Sequence, residues 1–414
     1  PMWNARVVFG VGGYTDASDK IGVASMAFDL MTTATEDMDA PTLSRTVKKL
    51  GAELYTDYAN DHAAIVSGGI VRTMEPTLDL MTAAIRAPSY ANDDFVIEKR
   101  RRRAALEVDL GKPASLAWRV DSRLRWGDGY LGRFATDEGY AAILRDDLVA
   151  FHGRYIGPEN ALILVGGDVE PDAFVALLED RLGDWKPEGI GVAPVKAEPL
   201  TIEPTLYFVD LPGSTQSTIH LTTQVTPPTS EAYPALQVAN HVVGGAFTAR
   251  INMNLREDKG YTYGARCFLH HRHGPAFLTC STAVRSDATR ASLDEIKREI
   301  EEALGDRPPT DEEVADAKSD MMLGYPAKFE TADSILETQT RIWRYGLADD
   351  FIAQYIPLTD AVTADAAIAA LRANLNLDAT HWIVVGDRAT VFAELESFGL
   401  PIVELDKFVQ PVGE

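Results

Sequence analysis

The chain is poor in cysteine: Cys267 and Cys280 are its two in 414 residues. That excludes a disulfide-stapled scaffold, and no CxxC or Cys/His pair stands at zinc-site spacing. Positive charge is also short, with 39 Lys and Arg against 62 Asp and Glu, a formal charge of −23. Polyanions are repelled by such a surface, so neither nucleic acid nor anionic membrane is expected as the main partner. Basic or extended peptides remain compatible, although an acidic surface by itself does no more than keep a chain soluble. No apolar run approaches the roughly 20 residues of a membrane span. Phosphate-cradling GxxxxGK[ST] and GxGxxG motifs are absent. What is there is 46% apolar and 24% charged residues, ordinary proportions for a globular chain of two or three domains.

The two cysteines flank a hairpin turn at residues 271–274, reading HRHG. Centred between His273 and Gly274, that turn sets Cys267 directly opposite Cys280. A cross-strand disulfide fits this register; a pair of buried free thiols is the default expectation. His270, His271 and His273 have no carboxylate at ligand spacing, and adjacent strand residues point to opposite faces, so they are expected in a solvent-exposed turn rather than a metal site. The basic run Lys99–Arg103 sits mid-helix beside Glu98, Glu107 and Asp109. It reads as a solvated, ion-paired helix face rather than a nucleic-acid patch.

An internal duplication organises the rest. Residues 161–168 read ALILVGGD and 381–387 read HWIVVGD, with Gly166 and Gly386 in register 220 residues apart. Each strand is preceded by a helix (146–155, 364–374) and followed by one (171–182, 390–398). Upstream, strand 6–12 with helices 22–33 and 41–50 matches strand 219–224 with helices 233–243 and 246–256. Strand pairs (52–58 with 62–71, 261–270 with 276–284) and amphipathic helices (73–87, 287–304) follow in both halves, the helices marked by apolar residues at three-and-four spacing. The expected fold is α+β: two tandem homologous units, each a mixed, largely antiparallel sheet with helices packed on one face. Their bounds are 1–190 and 200–414, joined by the Pro- and Gly-bearing stretch 186–204.

Two segments carry chemistry. Residues 22–31 read GVASMAFDLM and are followed by LGAEL at 50–54; residues 243–263 read VGGAFTARINMNLREDKGYTY. Together they resemble the inverted-zincin peptidases of the pitrilysin and mitochondrial-processing-peptidase type, and the resemblance covers nearly the whole chain. In that family a helix carries H-x-x-E-H, whose histidines bind zinc and whose glutamate is the general base. Laid on this sequence, the motif positions are Ser25, Phe28 and Asp29. The resemblance puts the downstream ligand glutamate at Glu107, within AALEVD at 104–109. Both histidines are missing, and Phe28 cannot accept a proton. The chain is therefore expected to hold no metal or cofactor of its own.

The second segment resembles the signature of the family's C-terminal half, which implies roles for Arg256 and Tyr263 across the cavity from a zinc ion. A guanidinium and a phenolic O–H are preorganised donors for a substrate backbone and a developing oxyanion. The plain structural reading has Arg256 pairing with Glu257 or Asp258, and Tyr263 half-buried on its strand. Gly244 and Gly245 read as a tight helix start with close backbone packing. By position, Leu54, Tyr55 and Thr56 match the family strand that takes an extended peptide by edge pairing, or else are a core strand.

A lost zinc motif beside an intact Arg/Tyr pair implies complementation. The expected role is the metal-free subunit of a heterodimeric zinc endopeptidase, inactive alone, whose homologous H-x-x-E-H-bearing partner holds the zinc and cuts peptides. The alternatives are a catalytically inert assembly subunit and a stand-alone peptide-binding clamp. The chain enters an apolar strand at Ala5 almost at once, which reads as a trimmed product. That fits a bacterial periplasmic protein better than a cytoplasmic one.

Overall fold

A computed structural model describes residues 1–186, 201–271 and 275–412. Most of the expected 186–204 linker and the HRHG turn beyond His271 lie outside the described residues.

Ten strands form two sheets among these residues. The first runs β2-β3-β1-β4, from β1 (Met2–Phe9), β2 (Glu53–Tyr58), β3 (Ala63–Ile70) and β4 (Ala161–Gly167). Every pairing in it is antiparallel. The second sheet uses β5 (Thr205–Asp210), β6 (Gln216–Val225), β7 (Thr262–His271), β8 (Ala276–Arg285), β9 (Thr380–Gly386) and β10 (Ile402–Leu405) in the order β10-β5-β9-β6-β8-β7. Four of these, β7-β8-β6-β9, repeat the first sheet strand for strand. The parallel strands β5 and β10 are added beside β9 and make the second sheet mixed.

The helices repeat as well. The first copy has α1 (Val23–Met31), α2 (Ala40–Lys49), α3 (Met74–Arg86), α4 (Asn92–Asp109), α5 (Pro113–Trp126), α6 (Asp137–Ala142), α7 (Arg145–Tyr155) and α8 (Pro171–Leu182). The second has α9 (Tyr233–Asn240), α10 (Arg250–Asn252), α11 (Thr289–Leu304), α12 (Asp311–Gly324), α13 (Ala332–Tyr345), α14 (Phe351–Asp360), α15 (Ala364–Asn374) and α16 (Arg388–Leu395). Turns of π-helix at His241–Gly245 and Met253–Asp258 extend α9 and α10. The strand expected to begin near Ala5 starts at Met2, because β1 is buried along nearly its whole length and its alternate residues serve two cores.

One compact unit comprises Pro1–Leu106, Arg133–Val195 and Ala327–Ala348; the other comprises Glu107–Gly132, Lys196–Pro326 and Asp349–Glu414. In the first, Trp3, Ala5, Val7 and Phe9 of β1 pack with α1, α3 and α7 in one core. The opposite face of that sheet is covered by α13, a helix from the second copy. There Arg6, 3% exposed, pairs with Asp57 of β2 at 2.8 Å and Asp333 of α13 at 3.0 Å. In the second unit, β6, β8 and β9 share a core with α9, α11 and α15. Its opposite face takes α5, a helix from the first copy. Asp121 of α5 is fully buried, bonded to Arg125 at 2.6 Å and to His381 of β9 at 2.9 Å. Burial pushes the Asp121 carboxyl up, and the charge of Arg125 and the hydrogen bond to His381 outweigh it, leaving it well below the usual carboxylate range.

Two expectations change. Cys267 and Cys280 are paired partners in the β7–β8 ladder and are joined as a disulfide rather than held as free thiols. His270 is not a solvent-exposed turn residue. It is half-buried on β7, bonded to Thr279 at 2.9 Å, with its ring 6.0 Å from that of Trp118 on α5. Trp118 and Arg125 of α5, which lies over this face of the sheet, enclose this histidine.

Two predictions follow from these cores. Unfolded, non-reduced protein should show no free thiol to a chromogenic disulfide reagent; two thiols per chain would contradict the bond. His220 on β6 is fully buried beneath Trp118, and neither ring nitrogen has a hydrogen-bond partner among the described residues. Burial pushes it down to about 4, whereas the unfolded ring titrates near 6.5. Between those values the unfolded state binds the extra proton. Stability is intact above about pH 6.5 and falls towards pH 4, by up to about 3 kcal/mol. The urea midpoint of a His220→Leu variant should depend less on pH across this window than that of the parent chain.

Candidate functional site

Helix α1 begins where the chain turns at Gly22, whose φ of +117° suits only glycine; a Cβ there would lie 2.6 Å from Tyr140. The amides of Gly22 and Ala24 donate to the buried carboxylate of Asp16 at 2.8 and 2.9 Å, which fixes the start of the helix. The expected motif positions then diverge. Phe28 turns fully into the core, its ring about 6 Å from those of Phe9, Tyr58 and Phe151. Ser25 donates to the Gly22 carbonyl at 3.1 Å. Asp29 faces β2 and accepts from the Thr56 hydroxyl at 2.9 Å.

The group facing Ser25 and Asp29 is the guanidinium of Arg102 on α4. It bonds the Asp29 carboxylate, the Ser25 hydroxyl at 3.2 Å, and Glu98 one turn earlier on α4 at 2.6 Å. Burial works against this charge, but the bond to Glu98 and the field of Asp29 raise Arg102 above its ordinary value. Glu98 is likewise lowered: Arg101 and Arg102 outweigh its burial. Glu107, the expected match to the family's ligand glutamate, is exposed. Glu98 is the carboxylate brought to this cluster. It immediately precedes the basic run, and the i,i+4 spacing of Glu98 and Arg102 signals an intrahelical pair.

These residues do not fit zinc. A catalytic zinc takes three N, O or S ligands and a water. The motif positions offer a hydroxyl, a phenyl ring and a carboxylate already shared between arginine and threonine. Among the described residues no group of three or more His, Cys, Asp or Glu is arranged to hold a metal.

Leu54, Tyr55 and Thr56 lie on β2, an edge strand of the first sheet. They alternate as a half-buried edge does: Leu54 packs toward the core and Thr56 reaches Asp29, while Tyr55 is partly exposed on the other face.

Arg256 and Tyr263 belong to the second unit. Arg256 lies in the last turn of the π-helical extension of α10, pairs with Glu257 at 3.2 Å, and lies 4.6 Å over the ring of Phe247. The chain reverses through Gly260 (φ +64°) into β7, the open edge of the second sheet. The ladder register then slips: Tyr263 and Gly264 stand opposite the single residue Ala283. Such a bulge re-aims a side chain. Tyr263 is 91% exposed rather than half-buried, and lines a 330 Å³ pocket with Phe247, Asn252, Phe268 and Thr282. Phe247, which sequence reasoning did not single out, thus borders both Arg256 and the Tyr263 pocket. The pair Gly244-Gly245 closes the π-turn after α9, with Gly244 against the disulfide sulfur of Cys267.

The sequence profile of the family described as "peptidase M16 inactive domain" matches residues 142–321. An uncharacterized zinc protease of Mycobacterium leprae is 24% identical over 257 residues, covering 61% of this chain and 58% of that protein. The chain thus spans about three-fifths of the length of the mycobacterial relatives it matches. The non-peptidase homolog YmxG of Helicobacter pylori is 19% identical over 85% of this chain and 81% of its own length. Among solved structures, a peptidase M16 inactive domain from Pseudomonas fluorescens superposes with a TM-score of 0.85 at 21% identity, covering 94% of this chain and 93% of that one. The periplasmic protease PqqL of Escherichia coli superposes with a TM-score of 0.79 at 13% identity, over 93% of this chain and 43% of its own.

The close approach at Gly244 yields a test. A Cβ there would lie 2.2 Å from the Cys267 sulfur. Gly244→Ala, which in an open helix gains about 1 kcal/mol, should here lower stability by about 1–3 kcal/mol through overpacking. Repeating the substitution in a Cys267→Ala, Cys280→Ala background should remove part of the loss, since the sulfur is gone but the residue 267 Cβ, 2.8 Å away, remains; a double-mutant cycle by urea unfolding measures it.

Proposed function

We propose that this chain, which is similar to the peptidase M16 inactive domain over residues 142–321 and to a solved structure of that domain, is the metal-free subunit of a two-chain zinc endopeptidase. The observation that carries this reading is Tyr263. Its side chain is almost wholly exposed, re-aimed by a bulge, and makes no hydrogen bond among the described residues. A tyrosine kept for packing would be buried, and its hydroxyl would find a partner.

In this reading the H-x-x-E-H-bearing partner's zinc supplies an activated water. This chain's part is to hold the peptide. Tyr263 donates to the scissile carbonyl as it turns into an oxyanion. Arg256, held over Phe247, binds the adjacent backbone. Phe247 and Phe268 offer an apolar wall for a side chain. The disulfide between Cys267 and Cys280, together with likeness to a periplasmic protease, supports an oxidising bacterial periplasm as the setting.

A second reading, a peptide clamp that works without a partner, is favoured by the open β2 edge at Leu54, Tyr55 and Thr56. It differs in requiring tight peptide binding by the isolated chain.

The discriminating experiment expresses the chain alone and together with an H-x-x-E-H homologue. The expected result is no zinc and no cleavage alone, and both in the pair. Tyr263→Phe and Arg256→Ala should each lower kcat/KM by about 10²–10³ without dissociating the pair on a sizing column. Full activity in both variants would remove the assigned roles.

A further inference from the structure

The cluster at the head of the first unit has a use that the lost motif does not explain. Arg102 touches three elements at once: its own helix through Glu98, helix α1 through Ser25 and Asp29, and through Asp29 the Thr56 hydroxyl of the edge strand β2. We propose that Arg102 is a built-in cation that replaces a metal at this position, tying α1, α4 and β2 together so that the β2 edge stays presented. The idea does not depend on whether a partner subunit exists.

Charge and donor type support it. Glu98 and Asp29 bring two carboxylates to one point, and Glu98 is only 7% exposed. Two such groups repel each other unless a cation lies between them. Arg101 also bonds Glu98, at 2.7 Å, and Asp29, at 3.4 Å, but its own side chain is 63% exposed against 21% for Arg102, so Arg102 is the cation on the buried side. The Ser25 hydroxyl and backbone carbonyl, at 3.2 and 3.4 Å, complete a set of oxygen acceptors around the guanidinium. Hard oxygen donors of this kind suit a divalent ion such as manganese or calcium once the arginine is gone. They do not suit the zinc of the lost motif, whose histidine positions are Ser25 and Asp29.

Arg102→Ala tests this by exchanging a tethered cation for a free one. The variant should melt on the order of 5 °C below the parent chain, because the two facing carboxylates lose their buried cation and keep only the exposed Arg101. Amide exchange should accelerate at residues 53–58 before it does in β8. Millimolar manganese chloride should restore much of both losses in the variant and leave the parent chain unchanged; Arg102→Lys, which keeps a charge, should lose less than Arg102→Ala. If Arg102→Ala does not fold, Arg102→Lys against Arg102→Gln decides, with the lysine chain expected to be the more stable and the glutamine chain the manganese-responsive one. The proposal is overturned if removing the arginine leaves melting and β2 exchange unchanged. It is equally overturned if the loss answers neither to manganese nor to lysine.

Discussion

Each four-stranded repeat of this chain builds a sheet with two faces, and the helices of its own copy cover only one. A buried sheet face left open would expose a row of apolar and polar groups together, so each sheet must find a second cover. The chain answers by exchange: α13 of the second copy completes the first unit, and α5 of the first copy completes the second. The two helices are themselves copies. Arg125-Trp126-Gly127 ends one and Arg344-Tyr345-Gly346 ends the other, each glycine at positive φ. Both buried arginines lie against acidic groups, Arg125 on Asp121 and Arg344 near Asp61. The polar contacts beneath each exchanged helix replace what would otherwise be a third apolar layer. They also place Asp121, His220 and His381 where water cannot reach them.

On this repeated frame the two copies have gone opposite ways. In the first, the groups at the old motif are satisfied from within: Phe28 by aromatic packing, Asp29 by Thr56 and Arg102, Glu98 by two arginines. Nothing there is left to act on a substrate bond. In the second, the corresponding edge strand β7 opens with a bulge, and its tyrosine is offered to solvent. A closed network in one copy and an exposed tyrosine beside Arg256 in the other is the physical content of the division of labour proposed above.

Much of the frame was legible because the duplication was. The strand pairs, both amphipathic helices and the helices before and after Gly166 and Gly386 stand where periodicity put them. The parallel strands β5 and β10 were not legible, since they are short and have no counterpart in the first sheet. Nor was the exchange of α5 and α13: sequence order says which elements exist, not which sheet they cover. Glu107 matches the family pattern in residue type and approximate distance, but the helical turn that faces α1 is set by packing and carries Glu98 instead. His270 looked exposed for the same reason, as nothing local announces Trp118 above it. The cysteine pair shows the reverse case. Register alone set Cys267 against Cys280, and only the tertiary fold decides whether the two sulfurs join.

Single exposed apolar side chains are common and need no account. Phe247, Tyr263 and Phe268 are different, because all three are exposed and all three line one pocket at an open sheet edge. Water would be better served there by shorter or charged residues, and an unguarded edge strand invites mispairing. Two features hold the arrangement in place from behind: the Cys267–Cys280 bond pins β7 to β8, and Gly244 lets the π-turn approach that bond without a side chain between them. Rigid support beneath an apolar, donor-bearing edge is what a surface needs if it is to meet an extended chain in one register. The same support makes little sense for a strand whose only task is to close a sheet.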